Sequence, residues 1–168
     1  MNVIGYLCKL DLPTCLRICA GTDGSVTYLL ELMTEKRVSV ETQQQHIIEA
    51  DDATARLLGI SAGESVNERI VLLRAGDVVY VHARSLAPIK YMPAGMEEDL
   101  MRANIPIGRI IKKHNIESRR DIDEVEIAKS RIFGEECMVL SRKYRIIHDH
   151  KTLIWINETF PIDGRWDV

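Results

Sequence analysis

The sequence predicts an α+β fold built on a six-stranded antiparallel sheet. Six segments are rich in the β-branched and aromatic residues that favour strands. Four of these segments form two pairs joined by short turns, and strands connected this closely run antiparallel. The chain has 168 residues, of which 46% are hydrophobic, so we expect one domain, residues 1–168, with a sizeable core.

Two short helices and a capped third helix are predicted at the start of the chain. Apolar residues recur at helical spacing over residues 4–20, and Pro13 interrupts the pattern and is expected to begin the second helix. Asp23 or Ser25 could cap the next helix, because both side chains can accept a hydrogen bond from a free backbone N–H group. The apolar stripe of this third helix begins at Val26.

The remaining elements alternate between strands and short helices. A β-branched run predicts a strand over residues 37–48, and a helix is expected over residues 51–58, where Gly59 ends it. A first hairpin then covers residues 66–86. The later elements are a loop, two helical segments, a strand and a second hairpin, at residues 88–93, 96–103, 106–113, 119–128 and 139–160.

The first hairpin places two arginines in an unusual position. Its segment, residues 66–88, contains a Gly-Asp pair at 76–77 that suits a two-residue turn. With this turn, Arg69 and Arg84 lie directly opposite each other on one face, where like charges are unfavourable by about 0.2–1 kcal/mol. An anion between the two guanidinium groups would explain the pair, because arginine binds carboxylates and phosphates through a planar fork. The alternative is that both arginines are solvated or pair with separate acids such as Glu68.

The second hairpin places a carboxylate on an apolar stripe. With a turn around residues 150–151, Glu158 shares a strand face with hydrophobic side chains. A lone carboxylate is costly to bury there, and such an environment is one in which acid–base groups are made. The alternative is an ion pair with Lys143, which is the cross-strand neighbour of Glu158 in this register. Periodicity alone does not decide between the two.

Composition and charge exclude several classes of protein. The net charge of −3 argues against a nucleic-acid-binding surface and gives no reason to expect attraction to anionic membranes. No segment reaches the roughly 18 apolar residues of a membrane span. The N-terminus lacks the basic start and apolar block of a signal peptide. We therefore expect a cytoplasmic protein.

Cysteine and histidine spacing does not indicate a metal site. No CxxC pair or zinc-type spacing is present, and His148 and His150 lack a third ligand close in sequence. Three cysteines have the spacing of one helix face, so buried free thiols are the expected state. The four cysteines are Cys8, Cys15, Cys19 and Cys137.

Six short motifs in order resemble the chorismate pyruvate-lyase family, the 4-hydroxybenzoate synthases. They extend over most of the chain, roughly residues 10–161. The shorter archaeal and actinobacterial-type members of the family are the most similar. The motifs are Asp23-Gly-Ser-Val-Thr27, Glu68-Arg69-Ile70, Ala83-Arg84-Ser85-Leu86-Ala87-Pro88, Pro106-Ile-Gly-Arg-Ile110, Arg119-Arg120-Asp121 and Asn157-Glu158-Thr159-Phe160-Pro161.

The resemblance implies a six-stranded antiparallel sheet with helices on one face and a ligand enclosed beneath helical flaps. It also implies that chorismate loses pyruvate to give 4-hydroxybenzoate without a cofactor or metal. In such a site the position of Arg69 holds the ring carboxylate, and the position of Glu158 meets the hydroxyl at the far end of the ring. Arg84 matches a second arginine, suited to the enolpyruvyl carboxylate. The candidate residues are therefore Glu158 and Arg84 for catalysis, and Arg69, Val26, Ile107 and Gly108 for substrate binding.

The proposed chemistry asks little of the protein, because formation of an aromatic ring supplies the driving force. The site must hold the ring in a reactive conformation, stabilise the charge on the departing enolpyruvyl oxygen and exclude water. Arg84 is expected to stabilise that charge. Glu158 is expected to orient the C4 hydroxyl or to act as an acid or base.

Two other functions are compatible with these motifs. The ligand-sensing domain of a class of bacterial transcription regulators is similar in fold and binds small molecules without chemistry. Those regulators carry an N-terminal winged helix, and the residues before the first matched helix are too few for one, an expectation that favours the enzyme. The second alternative is a lyase or isomerase that acts on another carboxylated ring.

Overall fold

A computed structural model describes residues 2–102 and 104–168 and confirms the predicted fold class. The helices are α1 (Val3–Leu7), α2 (Thr14–Gly21), α3 (Val26–Thr34), α4 (Asp52–Leu58), α5 (Met96–Met101) and α6 (Ile107–Lys113). The strands are β1 (Val38–Glu49), β2 (Ser65–Ala75), β3 (Val78–Pro88), β4 (Arg119–Ser130), β5 (Cys137–His148) and β6 (Lys151–Pro161). In the described part of the chain they form one antiparallel sheet in the order β1-β2-β3-β6-β5-β4.

The short helices begin and end where the sequence predicts. Pro13 precedes α2, and Ser25 rather than Asp23 caps α3. Asp51 caps α4, and Gly59 ends it in the left-handed conformation with a φ of 67°, which glycine adopts without steric cost. The predicted helix over residues 96–103 ends at Met101, and Ala103 lies outside the described residues.

A β-bulge in the first hairpin changes the faces of its two arginines. The turn at residues 76–77 is as predicted, and Ala75 pairs with Val78. The register then shifts by one residue between Leu73 and Arg74, so that Arg69 pairs with Ser85. Because successive side chains of a strand point to opposite faces, this shift places Arg69 and Arg84 on opposite sides of the sheet. The predicted pairing of the two arginines is therefore wrong.

The second hairpin also differs in register from the sequence prediction. Its turn lies at Asp149 and His150, whose φ angles of 47° and 61° are both left-handed, as in the type I′ turns that match strand twist. This turn starts one residue earlier than predicted. A further irregularity between Ile146 and Ile147 then sets the pairing over the rest of the two strands, up to Pro161.

The helices pack mainly on one face of the sheet, which we call the inner face. Helices α1, α2 and α3 contribute to one hydrophobic cluster together with Val71, Leu140 and Phe160. Helices α5 and α6 contribute to a second cluster with Tyr144 and Ile154. The exception is α4, which packs on the opposite face, where the register places Leu86 and Trp155. Two separate groups of helices thus cover the inner face.

Candidate functional site

A cavity of about 60 Å³ lies on the inner face where the two groups of helices meet. Its floor is the middle of the sheet, and its roof consists of the residues that begin α3 and α6. Most of the lining is apolar, and the charged side chains in it are Arg69, Arg120 and Glu158. The other lining residues are Gly24, Ser25, Val26, Thr27, Val40, Val71, Leu73, Ala83, Ser85, Pro106, Ile107, Gly108, Tyr144, Ile146 and Ile156.

The two segments of the roof contact each other directly. Ser25 caps α3, and its Oγ accepts a hydrogen bond from the backbone N–H of Tyr28 at 3.3 Å. Gly108 of α6 lies against this side chain, since a Cβ at position 108 would be 3.2 Å from Ser25 Oγ. Arg109 of α6 also donates a hydrogen bond to Glu31 of α3. These contacts close the roof over the floor of the cavity.

Replacing Ser25 with alanine is expected to lower the free energy of unfolding by about 1 kcal/mol, because α3 loses its N-cap acceptor. Ser25→Thr is the matched control, since threonine keeps the hydroxyl and is also a good cap. Denaturant unfolding of the two variants measures the difference. Equal stability of the alanine and threonine variants would show that the cap does not hold the roof.

Arg69 lies on β2 in the floor of the cavity and is only 2% exposed. Its Nη1 donates a hydrogen bond to the carbonyl oxygen of Ile105 at 3.0 Å. Burial lowers the pKa of Arg69 to about 10, because removal from water disfavours the charged form. A carboxylate in the cavity would offset this effect by pairing with the guanidinium group.

Glu158 lies on β6 and is held by two side chains of β5. Its Oε2 accepts a hydrogen bond from Nε of Arg142 at 2.7 Å, and its Oε1 accepts one from the hydroxyl of Tyr144 at 3.1 Å. The predicted partner, Lys143, instead pairs with Glu124 on β4 at 2.9 Å. Glu158 is thus a buried carboxylate with an ion-pair partner, and the interpretation that it pairs with Lys143 is wrong.

Arg142 connects Glu158 to the chain that leads into the roof. It is 1% exposed, and its Nη1 donates to the carbonyl oxygens of Ala20 at 3.0 Å and Thr22 at 2.8 Å. Its guanidinium group also lies 4.9 Å from the ring centre of Tyr144. A buried charge needs such partners, because its desolvation is costly. The position of Glu158 therefore depends on both β5 and the end of α2.

Arg84 does not line the cavity. Its side chain is 43% exposed on the opposite face of the sheet, and its Nη2 lies 2.6 Å from Glu68 Oε1. The physical reason is the β-bulge. It shifts the pairing of β2 with β3 by one residue in the part of the hairpin that lies beyond the bulge from the turn. The structure therefore realises the alternative weighed for this arginine, an ion pair with Glu68. A catalytic contact of Arg84 with a ligand in this cavity is excluded by that geometry.

Arg120 is the cavity arginine that sequence reasoning did not select. Its neighbours in the same motif, Arg119 and Asp121, pair with each other at 3.0 Å on the opposite side of β4. Arg120 points to the inner face and lines the cavity. Strand alternation, which separates residue 120 from both of its neighbours, was the signal that could have identified it.

The predicted backbone positions lie in the roof. Val26 is the first residue of α3, and Ile107 and Gly108 are the first two of α6, and all three line the cavity. The first N–H groups of a helix have no partner within the helix. They are therefore available to a polar group of a ligand.

The cysteines are free thiols, and Cys19 is the buried one. Cys8 follows α1 and is exposed, so the prediction that it shares a helix face with Cys15 and Cys19 is wrong. Burial raises the pKa of Cys19 to about 12.

The residues that the structure describes contain no group of three or more side chains suited to a metal ion. They also contain no helix long and apolar enough to span a membrane.

Two solved structures illustrate the fold that this chain shares. The effector domain of PhnF from Mycobacterium smegmatis superposes with a TM-score of 0.65 over 82% of this chain and 88% of that domain, at 16% identity. A GntR-family regulator from Bacillus cereus gives a TM-score of 0.59 over 74% of this chain and 91% of that chain, also at 16% identity. At this level of identity the comparison defines the fold.

Sequence comparison then defines the family. Residues 21–166 match the model of the family described as "Chorismate pyruvate-lyase Rv2949c-like", and the chain belongs to this family. A protein of Methanocaldococcus jannaschii named "Putative lyase MJ0807" is 34% identical over 89% of this chain and 79% of its own length. The chorismate pyruvate-lyase of Mycobacterium leprae is 25% identical over 86% of this chain and 73% of its own length. The resemblance predicted from the six motifs is thus confirmed.

Proposed function

We propose that the protein eliminates pyruvate from chorismate in this cavity and forms 4-hydroxybenzoate without a cofactor. The observation that carries the proposal is a buried arginine and a buried glutamate, Arg69 and Glu158, that line one largely apolar cavity. An aromatic acid with a polar group at its far end has the matching chemistry. Membership of a family described as chorismate pyruvate-lyases supports the same assignment.

The sheet register gives the spacing between the backbone positions of the two charged residues. Arg69 pairs with Ser85, and Ser85 pairs with Ile156, two residues before Glu158 on β6. Two strand spacings and two residues along the strand separate their Cα atoms by roughly 12 Å. A ring with a carboxylate at one end and a hydroxyl at the other fits between the two side chains. Arg69 would bind the ring carboxylate, and Glu158 would accept a hydrogen bond from the C4 hydroxyl.

The elimination breaks the bond between ring carbon C3 and the enolpyruvyl oxygen. The hydrogen on C4 leaves as a proton, so that a C3–C4 double bond completes the aromatic ring. Pyruvate gains one proton at its methylene carbon, and the atoms of chorismate are divided between the two products. Because the ring becomes aromatic, the protein needs mainly to orient the substrate, stabilise charge and exclude water. Backbone N–H groups at Val26, Ile107 and Gly108 would contribute to this orientation.

Incubation of the purified protein with chorismate is expected to produce 4-hydroxybenzoate and pyruvate in equal amounts. Chromatography measures the aromatic product, and a lactate dehydrogenase assay measures pyruvate. Turnover should be unchanged by EDTA, because no step of the proposed reaction uses a metal. The matched control is the Glu158→Gln variant, which should form both products much more slowly.

Absence of both products would contradict the proposal. A thermal shift with aromatic acids but no turnover would instead indicate a binding domain like those of the structurally similar regulators. A different product from chorismate, or turnover of another carboxylated ring alone, would indicate another lyase or an isomerase.

A further inference from the structure

We propose that Arg120 binds the second carboxylate of a dianionic substrate, and that it distinguishes this substrate from a product with one carboxylate. The inference rests on the proposed function, in which chorismate carries a ring carboxylate and an enolpyruvyl carboxylate. Arg69 is assigned to the ring carboxylate. Arg120 is the other cationic side chain in the lining of the cavity within residues 2–102 and 104–168.

The guanidinium group of Arg120 lies where the two segments of the roof meet. Its Nη1 donates a hydrogen bond to the carbonyl oxygen of Asp23 at 3.2 Å, just before α3. Its Nη2 would lie 3.9 Å from a Cβ at position 108, at the start of α6. Its Nε is buried and has no hydrogen-bond partner among the described residues. A ligand oxygen in the cavity would therefore find a donor held in place by the roof.

The charges around the cavity favour a dianion. Arg69 and Arg120 line it with two positive charges, and Glu158 contributes the one negative charge among the lining residues described. Arg142, behind Glu158, neutralises that carboxylate through their 2.7 Å ion pair. Arg120 therefore adds a positive charge to a lining whose carboxylate, Glu158, is already paired with Arg142, and this charge suits a second carboxylate of the ligand.

The acidic residues close to Arg120 in sequence do not neutralise it. Asp121 points to the other side of the strand and pairs with Arg119 at 3.0 Å. Asp23 is exposed and offers Arg120 its backbone carbonyl oxygen rather than its carboxylate. The charge of Arg120 is thus available to a ligand.

Arg120 and Arg69 lie on opposite sides of the cavity floor. Arg69 is on β2 and Arg120 is on β4. Three strands, β3, β6 and β5, lie between them in the sheet. At normal strand spacing the two Cα atoms are roughly 20 Å apart, a span that two long side chains can partly close from either end. The pKa of Tyr144 in the floor is raised by burial and by the charge of Glu158, and the charges of Arg142 and Arg120 act in the opposite direction.

This arrangement separates substrate binding from product binding. When the enolpyruvyl group leaves, the remaining aromatic acid keeps the carboxylate that pairs with Arg69 and loses the one that pairs with Arg120. Arg120 should therefore contribute to the affinity for the dianion and not to that for 4-hydroxybenzoate. Its charge would also stabilise the negative charge on the departing enolpyruvyl group.

The test compares a dianionic with a monoanionic ligand in the Arg120→Gln variant. The probes are 3-(carboxymethoxy)-4-hydroxybenzoate, an unreactive aromatic acid with a second carboxylate on an ether at ring position 3, and 4-hydroxybenzoate. Calorimetry should show that the variant binds the dianion about 10- to 100-fold more weakly, the effect of losing a charged hydrogen bond. The Kd of 4-hydroxybenzoate should change by less than about threefold. kcat/KM for chorismate should fall together with the affinity for the dianion.

Arg119→Gln is the matched control, because it removes a positive charge from the same strand on the opposite face. It should leave both affinities unchanged, and Arg120→Lys should recover part of the affinity for the dianion. An equal loss for both probes, or none, in Arg120→Gln would overturn the assignment. A third outcome is that Arg120→Gln selectively loses affinity for the dianion while the wild-type protein does not turn over chorismate. This outcome would overturn the proposed reaction and support Arg120 as a carboxylate site.

Discussion

Replacement of Glu158 by alanine is expected to lower kcat for chorismate by about 100-fold or more, with a smaller change in KM. The side chain is buried in the floor of the cavity, fixed by Arg142 and Tyr144. Acid–base or orienting groups of this kind contribute roughly 10²–10⁴-fold to rates. Steady-state kinetics with pyruvate detection measures both constants. Glu158→Gln, which keeps the shape but not the charge, should lose a comparable factor in kcat.

Stability must be measured alongside the activity of the Glu158 variants. Loss of the carboxylate leaves Arg142 as a buried charge without its counter-ion, a change that typically costs about 3–5 kcal/mol. Chemical denaturation establishes whether the variants are folded at the assay temperature. Glu124→Gln is the control, since Glu124 pairs with Lys143 and is largely exposed. A folded Glu158→Ala variant with the wild-type kcat would refute the role of Glu158.

Replacement of Arg69 by alanine is expected to weaken binding of both chorismate and 4-hydroxybenzoate by about 100-fold. The reason is that both ligands carry the ring carboxylate, and removal of one partner of a buried charged pair costs about 2–5 kcal/mol. The Kd of the product by calorimetry and the KM of the substrate measure the effect. Unlike Arg120→Gln, this variant should not discriminate between one and two carboxylates.

Arg84→Ala is the matched control for Arg69→Ala. Arg84 lies on the neighbouring strand of the same hairpin but on the opposite face, paired with Glu68. Its loss should leave the affinity for both ligands near the wild-type value. If Arg84→Ala weakened binding and Arg69→Ala did not, the assignment of the two arginines would be reversed.

The pH dependence of product binding follows from the burial of Arg69. Burial lowers the pKa of its guanidinium group to about 10, and the charged form is the one that binds a carboxylate. The contribution of Arg69 is therefore complete well below this pKa and is lost as the pH rises through it. Titration of the 4-hydroxybenzoate affinity from neutral to alkaline pH should show constant binding followed by a decline near pH 10.

The sequence predicted the elements of the fold more reliably than their register. Caps and turns are local signals, so Gly59 and the 76–77 turn could be assigned from neighbouring residues, and the cap of α3 could be narrowed to Asp23 or Ser25, of which Ser25 is the cap. The β-bulge of the first hairpin depends on how two strands pack, and no sequence pattern near Leu73 or Arg74 predicts it. The residue pairing expected for a regular hairpin is consequently wrong from the third pair after the turn.

The same distinction explains which site residues were found. Arg69 and Glu158 lie in motifs that resemble those of the family, and both side chains line the cavity. Arg142 was missed because its role depends on contacts across the sheet and with the end of α2. Arg120 could have been distinguished from Arg119 and Asp121 by strand alternation. Arg84 was selected because it matched a family motif and because a regular hairpin was assumed.

The β-bulge between Leu73 and Arg74 also limits how residues can be transferred among relatives by alignment. A homologue that lacks the extra residue would present the opposite set of β2 or β3 side chains to the cavity beyond that point, even if every letter of the aligned motif were identical. Insertions and deletions of a single residue within this hairpin should therefore be inspected before an aligned arginine is credited with a function. Two residues that are identical and aligned in sequence can therefore point to opposite faces of the sheet.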